Sequence, residues 1–107
     1  MFVGKVIGSV WATKKRPELE GLKFLVVKPL NLNAEPGSDV VVVADRIGAG
    51  VGENVICSYG KAGRIAVDDE KMPIEAAVIA IVDKFEIDKK YIDGIVKKDL
   101  SPAKGKK

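Results

Sequence analysis

The segment from Asp45 to Glu53 is the part of this chain that most resembles a ligand-binding loop, because it carries the glycine pattern Gly48-Ala49-Gly50-Val51-Gly52. A dinucleotide-binding loop uses G-x-G-x-x-G and is followed directly by a helix whose N-terminus faces the phosphates. Here the spacing is G-x-G-x-G, a strand-like run from Asn54 to Tyr59 follows, and no lysine stands where a P-loop requires one. We therefore interpret the segment as a tight turn between two strands, in which glycines permit positive φ and close packing.

Cys57 is the single cysteine, and it lies in the apolar run Val55-Ile56-Cys57. A reactive thiol needs a basic neighbour or a general base, and the chain contains no histidine. The lack of histidine also excludes zinc sites built from cysteine and histidine, and nucleophiles activated by histidine. We interpret Cys57 as a small buried apolar side chain. A redox or metal-cluster module, in which an oligomer brings several copies of Cys57 together, is an open alternative.

Three charged runs offer other chemistry. Carboxylates at 68–70 and within 83–88 suit acid–base catalysis or a divalent cation, but neither group has the spacing of a metal-binding loop. Lys14-Lys15-Arg16 suits phosphate contacts, but Trp11 is the only aromatic beside it that could stack on a base. Each run is typical of a solvated loop. We therefore expect no catalytic residue, no cofactor and no metal, and predict that the chain is not an enzyme.

The distribution of charge gives little support to nucleic-acid binding. Residues 89–107 hold seven lysines against two aspartates, a net charge of +5, whereas the remaining residues carry −2. A folded nucleic-acid-binding domain carries its basic residues on a face of its body, so we expect this tail to be solvated. No apolar run is long enough for a membrane span, and residues 1–5 lack the features of a signal peptide, so we expect a cytoplasmic protein.

Residues 2–13 predict a long strand, since the even positions from Phe2 to Ala12 are all apolar or small. The opposite face contains Val3, Ile7 and Trp11, at positions that a lone antiparallel strand would normally leave polar. These three side chains need cover, either from a helix or from another subunit, and we take them as interface candidates. Trp11 stands out because tryptophan is enriched in interfaces.

The rest of the chain predicts four more strands, at 22–30, 40–44, 54–59 and about 74–85. The strand at 40–44 is apolar on both faces, as expected of a strand that is buried on both sides. A helical turn is predicted near 63–67. Apolar residues at helical spacing, with Asp88 as N-cap, predict a short helix over 89–100.

These elements predict a mainly β fold. Five strands joined by short turns suit a small antiparallel barrel of the oligonucleotide-binding-fold type, here with a short C-terminal helix. The chain length fits one domain, which we place at residues 1–100, followed by a flexible Lys-rich tail at 101–107.

Four stretches of the chain, in order, resemble the pentameric vertex proteins of bacterial microcompartment shells, of the carboxysome and ethanolamine-utilisation type. They begin with Gly4-Lys5-Val6-Ile7-Gly8 and continue with Lys23-Phe24-Leu25-Val26-Val27, Asp45-x-x-Gly48-Ala49-Gly50-x-Gly52-Glu53 and Pro73-Ile74-x-Ala76-Ala77-Val78. The match spans about residues 2–85. The segment at 60–64 departs from the family pattern, where only Gly60 and Arg64 fit.

The resemblance implies a five-stranded barrel subunit, five copies of which form a disc with an axial pore. Such a homopentamer would cap the vertices of a shell built mainly from hexameric shell proteins, in the bacterial cytoplasm and without catalysis. It also suggests assembly or pore-loop candidates in the glycine segment, namely Gly48, Ala49, Gly50, Gly52 and Glu53. The alternative function is a nucleic-acid-binding small β-barrel module, which the fold type and the Lys-rich tail would allow.

Overall fold

Five strands form a closed barrel in the computed structural model, which describes residues 1–13, 15–30, 39–68, 71 and 73–88. The strands are β1 (Phe2–Val10), β2 (Lys23–Pro29), β3 (Val41–Asp45), β4 (Asn54–Tyr59) and β5 (Ala76–Val82). They follow the order β1-β2-β3-β5-β4 around the barrel. The predicted mainly β, five-stranded barrel is therefore confirmed. No described helix is long and apolar enough to cross a membrane.

The barrel is antiparallel, as predicted, at all of its seams but one. β3 and β5 run in the same direction and pair at Ala44 and Ala77, whereas the other four seams are antiparallel. The reason is the odd number of strands. A closed ring of five strands cannot alternate direction at every seam, so at least one neighbouring pair must be parallel.

A β-bulge in β1 reverses which side chains face the barrel interior. Val6 pairs with Val27 and Gly8 pairs with Val26, so Ile7 is an extra residue on β1. The even-numbered face points inward at Gly4 and Val6, which are buried, but Val10 is exposed. The predicted strand at 2–13 is therefore wrong in two respects: its alternation inverts after Val6, as a bulge requires, and it ends at Val10.

The barrel interior is a complete apolar core of small and β-branched side chains. It contains Val6, Leu25, Val27, Val43, Ala49, Val55, Cys57, Ala76 and Val78. A second, smaller cluster of Leu22, Ala44, Val67 and Ala77 lies outside the barrel wall, and the helix that precedes Val67 packs against β5 and β4. That helix, α1 (Gly60–Ala66), is longer than the predicted turn near 63–67.

The strand bounds otherwise follow the sequence pattern closely. β4 coincides with the prediction, while β2 and β5 are shorter than predicted at both ends. A short 3₁₀ helix, Pro17–Leu19, connects β1 to β2. Within the single subunit β3 is not buried on both faces as predicted, because Val42 is 51% exposed. The predicted helix at 89–100 and the tail at 101–107 lie outside the described residues.

Candidate assembly surfaces

The loop that joins β3 to β4 is organised by the carboxylate of Asp45, the last residue of β3. The backbone N–H of Ile47 donates to Oδ1 at 2.9 Å, and those of Gly48 and Ala49 donate to Oδ2 at 3.2 Å and 2.9 Å. The Asp45 side chain is fully buried. A single carboxylate therefore holds three successive amides and fixes the first half of the loop.

Glu53 closes the second half of the loop in a similar way. Its Oε1 accepts a hydrogen bond from the backbone N–H of Gly50 at 2.7 Å, and its own N–H donates to the carbonyl of Gly50 at 3.1 Å. Gly52 N–H donates to the carbonyl of Val6 at 2.8 Å, and Val6 N–H donates to the carbonyl of Glu53 at 2.9 Å. These bonds tie the loop to the bulged part of β1.

This geometry explains why the loop is not a phosphate cradle. An anion-binding loop leaves successive amides free to point at the ligand. Here the chain's own two carboxylates occupy the amides at 47–50. Gly48 and Gly52 have φ of 97° and 92°, a conformation that favours glycine. The interpretation of the segment as a backbone-shaping turn between two strands is confirmed.

Lys23 makes a contact with this loop that no local sequence pattern predicts. Its Nζ donates to the carbonyl of Ala49 at 2.6 Å and lies 3.8 Å from Oδ2 of Asp45. Lys23 opens β2 and pairs with Asp45 across the β2–β3 seam. The interaction therefore depends on the register of two strands that are far apart in the chain, and no local pattern encodes that register.

The five assembly or pore-loop candidates do not share one environment. Ala49 and Glu53 are buried inside the subunit, where they hold the loop. Gly48 is exposed, and Gly50 and Gly52 are half-buried. The apolar side chains that this loop presents to solvent are instead those of Ile47 and Val51.

The three interface candidates also lie in different places, because of the bulge. Val3 is half-buried on the outer wall, in register with Ile56 of β4. Ile7 is the bulged residue and is 48% exposed. Trp11 lies just past the end of β1 and is 93% exposed. The structure thus does not bring the three side chains together on one face.

Trp11 borders an apolar groove at the end of the β1–β2 pair, which we call the Trp11 groove. Val10 and Phe24, which pair across the two strands, line it together with Trp11 and Leu22. The remaining lining residues are Ser9, Ala12, Lys15, Gly21 and Lys23. The described lining therefore contributes two lysines and no carboxylate.

Cys57 faces the barrel interior and is fully buried. Burial raises the pKa of its thiol to about 11, and the negative charge of Asp45 contributes to the rise. The thiol is therefore neutral at physiological pH and cannot meet other copies of itself on a shared axis. The redox or metal-cluster alternative is thus wrong as stated. Among the described residues, no group of three or more histidine, cysteine or carboxylate side chains is placed to hold a metal ion.

Comparison with known proteins finds relatives that match this chain along most of its length. The family described as ethanolamine utilisation protein EutN/carboxysome matches residues 1–83. A carboxysome shell vertex protein CcmL from Synechococcus elongatus is 40% identical over 92 residues, which cover 86% of this chain and 93% of the relative.

Solved structures agree with the sequence matches. The structure of Gloeobacter violaceus CcmL superposes with a TM-score of 0.74 at 38% identity, covering 82% of this chain and 91% of that one. GrpN, a pentameric microcompartment shell protein from Rhodospirillum rubrum, superposes with a TM-score of 0.70 at 44% identity, covering 81% and 99%.

Proposed function

The chain belongs to the family described as ethanolamine utilisation protein EutN/carboxysome, and from this membership we propose that five copies form a ring that caps a vertex of a bacterial microcompartment shell. Its curated relatives are named as shell vertex proteins of carboxysomes and other microcompartments, not as enzymes. The role is therefore structural, and the protein resides in the shell of a microcompartment in the bacterial cytoplasm.

The observation that carries the proposal is apolar surface on a subunit whose own core is already complete. The barrel interior is filled, yet Trp11, Ile7 and Val42 remain largely exposed on its outside. A contiguous patch of exposed apolar side chains is typical of a surface that associates, and the strand register sets Val42 beside Val26 and the bulge at Ile7. A ring of identical copies would remove them from water.

The ring's partners in the shell are hexameric shell proteins of the same microcompartment, which form the facets that meet at each vertex. The family resemblance supports this partnership. The nucleic-acid-binding alternative is not supported, since the relatives that match along most of the chain are shell vertex proteins. The loop amides that could have held a phosphate are also occupied by Asp45 and Glu53.

The test is the native mass of the purified full chain, measured by light scattering and native mass spectrometry at about 10 μM subunit, within the range where stable oligomers persist. A mass of five subunits is expected, and a monomer at that concentration would overturn the proposal. Shell incorporation is tested by co-expression with hexameric shell proteins. Closed particles should contain the chain, and its exclusion from them would overturn the vertex role.

A further inference from the structure

Two elements at one end of the barrel have complementary properties. The first is the Trp11 groove. The second is the stretch 83–88 that follows β5, which we call the exit segment; it belongs to no strand or helix.

The exit segment combines apolar and acidic side chains in alternation. Phe85 and Ile87 are half-buried, whereas Asp83 and Glu86 are exposed. In an extended conformation, Phe85 and Ile87 would fall on one face. The segment carries three carboxylates against Lys84, a net charge of −2. The Trp11 groove, by contrast, is lined by apolar side chains with Lys15 and Lys23.

The topology places both elements at the same end of the barrel. β3 ends at Asp45, which pairs with Lys23 of the groove. β5 runs parallel to β3 from the pairing of Ala44 with Ala77, and so it continues toward that same end until Val82. The exit segment therefore leaves the barrel in the direction of the end at which the groove lies.

The two elements nevertheless lie on different flanks. In the barrel order, β5 is separated from β2 by β3 on one side, and by β4 and β1 on the other. A closed ring of identical subunits needs a heterologous contact, in which each copy offers two different surfaces, one to each neighbour. A groove on one flank and a segment that projects from another, directed toward the same end of the barrel, are two such surfaces.

We propose that the exit segment of one copy docks in the Trp11 groove of the next copy around the ring. Phe85 and Ile87 pack against Trp11, Val10 and Phe24, and the acidic side chains of the segment lie near Lys15 and Lys23. Trp11 is the anchor, since a tryptophan buried at the centre of an interface carries much of its binding energy. This inference rests on the proposed ring and names the two surfaces that build it.

The inference is tested with two variants of the full chain, each of which removes one surface. Trp11→Glu changes an exposed side chain, so the fold should be retained, as circular dichroism and thermal melting would show. Phe85→Glu with Ile87→Glu changes the segment outside the strands. Each variant alone should lose the ring, a fivefold drop in native mass, whereas Trp11→Phe should retain it.

Mixing the two variants gives the decisive measurement. The segment of the Trp11→Glu copy is intact, and so is the groove of the Phe85→Glu/Ile87→Glu copy, so the mixture should form a heterodimer of one copy of each. Such a dimer cannot grow, because its outer surfaces are both disabled. Monomeric variants that form no heterodimer when mixed would overturn the inference.

The single tryptophan supplies an independent readout. Its emission in the wild-type ring should be shifted to the blue and protected from acrylamide, and the Phe85→Glu/Ile87→Glu variant should lose both effects. A ring that survives either variant would overturn the docking inference and leave the proposed function standing. A wild-type chain that is monomeric would instead overturn the proposed function itself.

Discussion

Oδ2 of Asp45 lies 2.9 Å from the backbone nitrogen of Ala49, four residues further along the chain, and both residues are buried. This hydrogen bond is one of three contacts that meet where the loop leaves β3. Oδ2 also accepts from Gly48, and Lys23 Nζ reaches the carbonyl of Ala49 from the neighbouring strand. The conformation of the glycine loop therefore depends on one buried carboxylate as well as on its glycines.

Replacing Asp45 by asparagine should destabilise the subunit. The amide retains one oxygen, but its NH₂ group would face backbone N–H groups that donate to a carboxylate oxygen in the wild type. Leaving buried donors unsatisfied costs about 1–3 kcal/mol, so we expect a loss of about 2–3 kcal/mol. Urea unfolding at a fixed subunit concentration measures it. Asp39→Asn, at an exposed position before β3, is the control and should change stability little.

Gly48→Ala and Gly50→Ala should differ in their effect on the stability of the subunit, although only one residue separates the two glycines. Gly48 has φ of 97°, where an alanine is strained by about 1–3 kcal/mol. Gly50 has no such φ, and an added Cβ would meet Oε1 of Glu53 at an ordinary 3.5 Å. We expect thermal melting to show a clear loss for Gly48→Ala alone. Equal effects would mean that backbone conformation does not limit this loop.

Within β1, Gly4→Ala should destabilise the subunit, whereas Gly8→Ala should leave its stability nearly unchanged. A Cβ on Gly4 would contact Val27 and lie 2.8 Å from the carbonyl oxygen of Lys28, which the barrel wall holds in place. We expect a loss of about 1–3 kcal/mol from this overpacking. At Gly8 the nearest atom would be Cβ of Val26 at 4.0 Å, so alanine fits. Chemical denaturation of both variants checks the order, and a more stable Gly4→Ala would contradict it.

The Cys57 thiol predicts a loss of stability at high pH. Its pKa is raised from 9.0 to about 11 in the folded subunit, so the folded state keeps a proton that the unfolded chain releases. Stability from this group is therefore fully present below about pH 9 and is lost as the pH rises toward about 11, by up to about 2–3 kcal/mol.

Lysine and tyrosine also titrate at high pH. The contribution of Cys57 to the loss of stability there can be isolated by comparing wild type with Cys57→Ala. The alanine variant should be less stable at pH 8, since it leaves a small cavity, but its stability should fall less between pH 9 and 11. Parallel pH dependences would show that the thiol does not cause the loss. The native thiol should also resist alkylation at pH 8 until the protein unfolds.

The sequence predicts the strands well where the pattern is local. The bounds of β4 are predicted correctly because the strand-like run from Asn54 to Tyr59 is flanked by Glu53 and Gly60. The bulge at Ile7 was missed, because one extra residue leaves no mark in a strand whose two faces are both partly apolar. Its position follows from the pairing of β1 with β2, a contact between distant parts of the chain.

The glycine loop, too, is predictable from the sequence only where its features are local. The glycine pattern identifies a turn, since glycine at positive φ is a local requirement. That Asp45 and Glu53 turn inward to hold this loop, and that Lys23 supports it, depends on how β2, β3 and β4 meet. The exposure of Val42 cannot be predicted from local sequence either. An apolar run has the same sequence pattern whether its second face is covered by the same chain or by another copy.

The bulge in β1 has a practical consequence for engineering shells. Before Val6 the alternate residues fill the interior, and from Gly8 onward the same alternation presents the outside. The bulge at Ile7 thus divides the strand into two halves. Substitutions in the first half would disturb the core, whereas outward positions in the second half can be substituted. New chemistry, such as a tether for a cargo protein, is best introduced at outward-facing Gly8, while Gly4, Val6 and the groove residue Ser9 are kept.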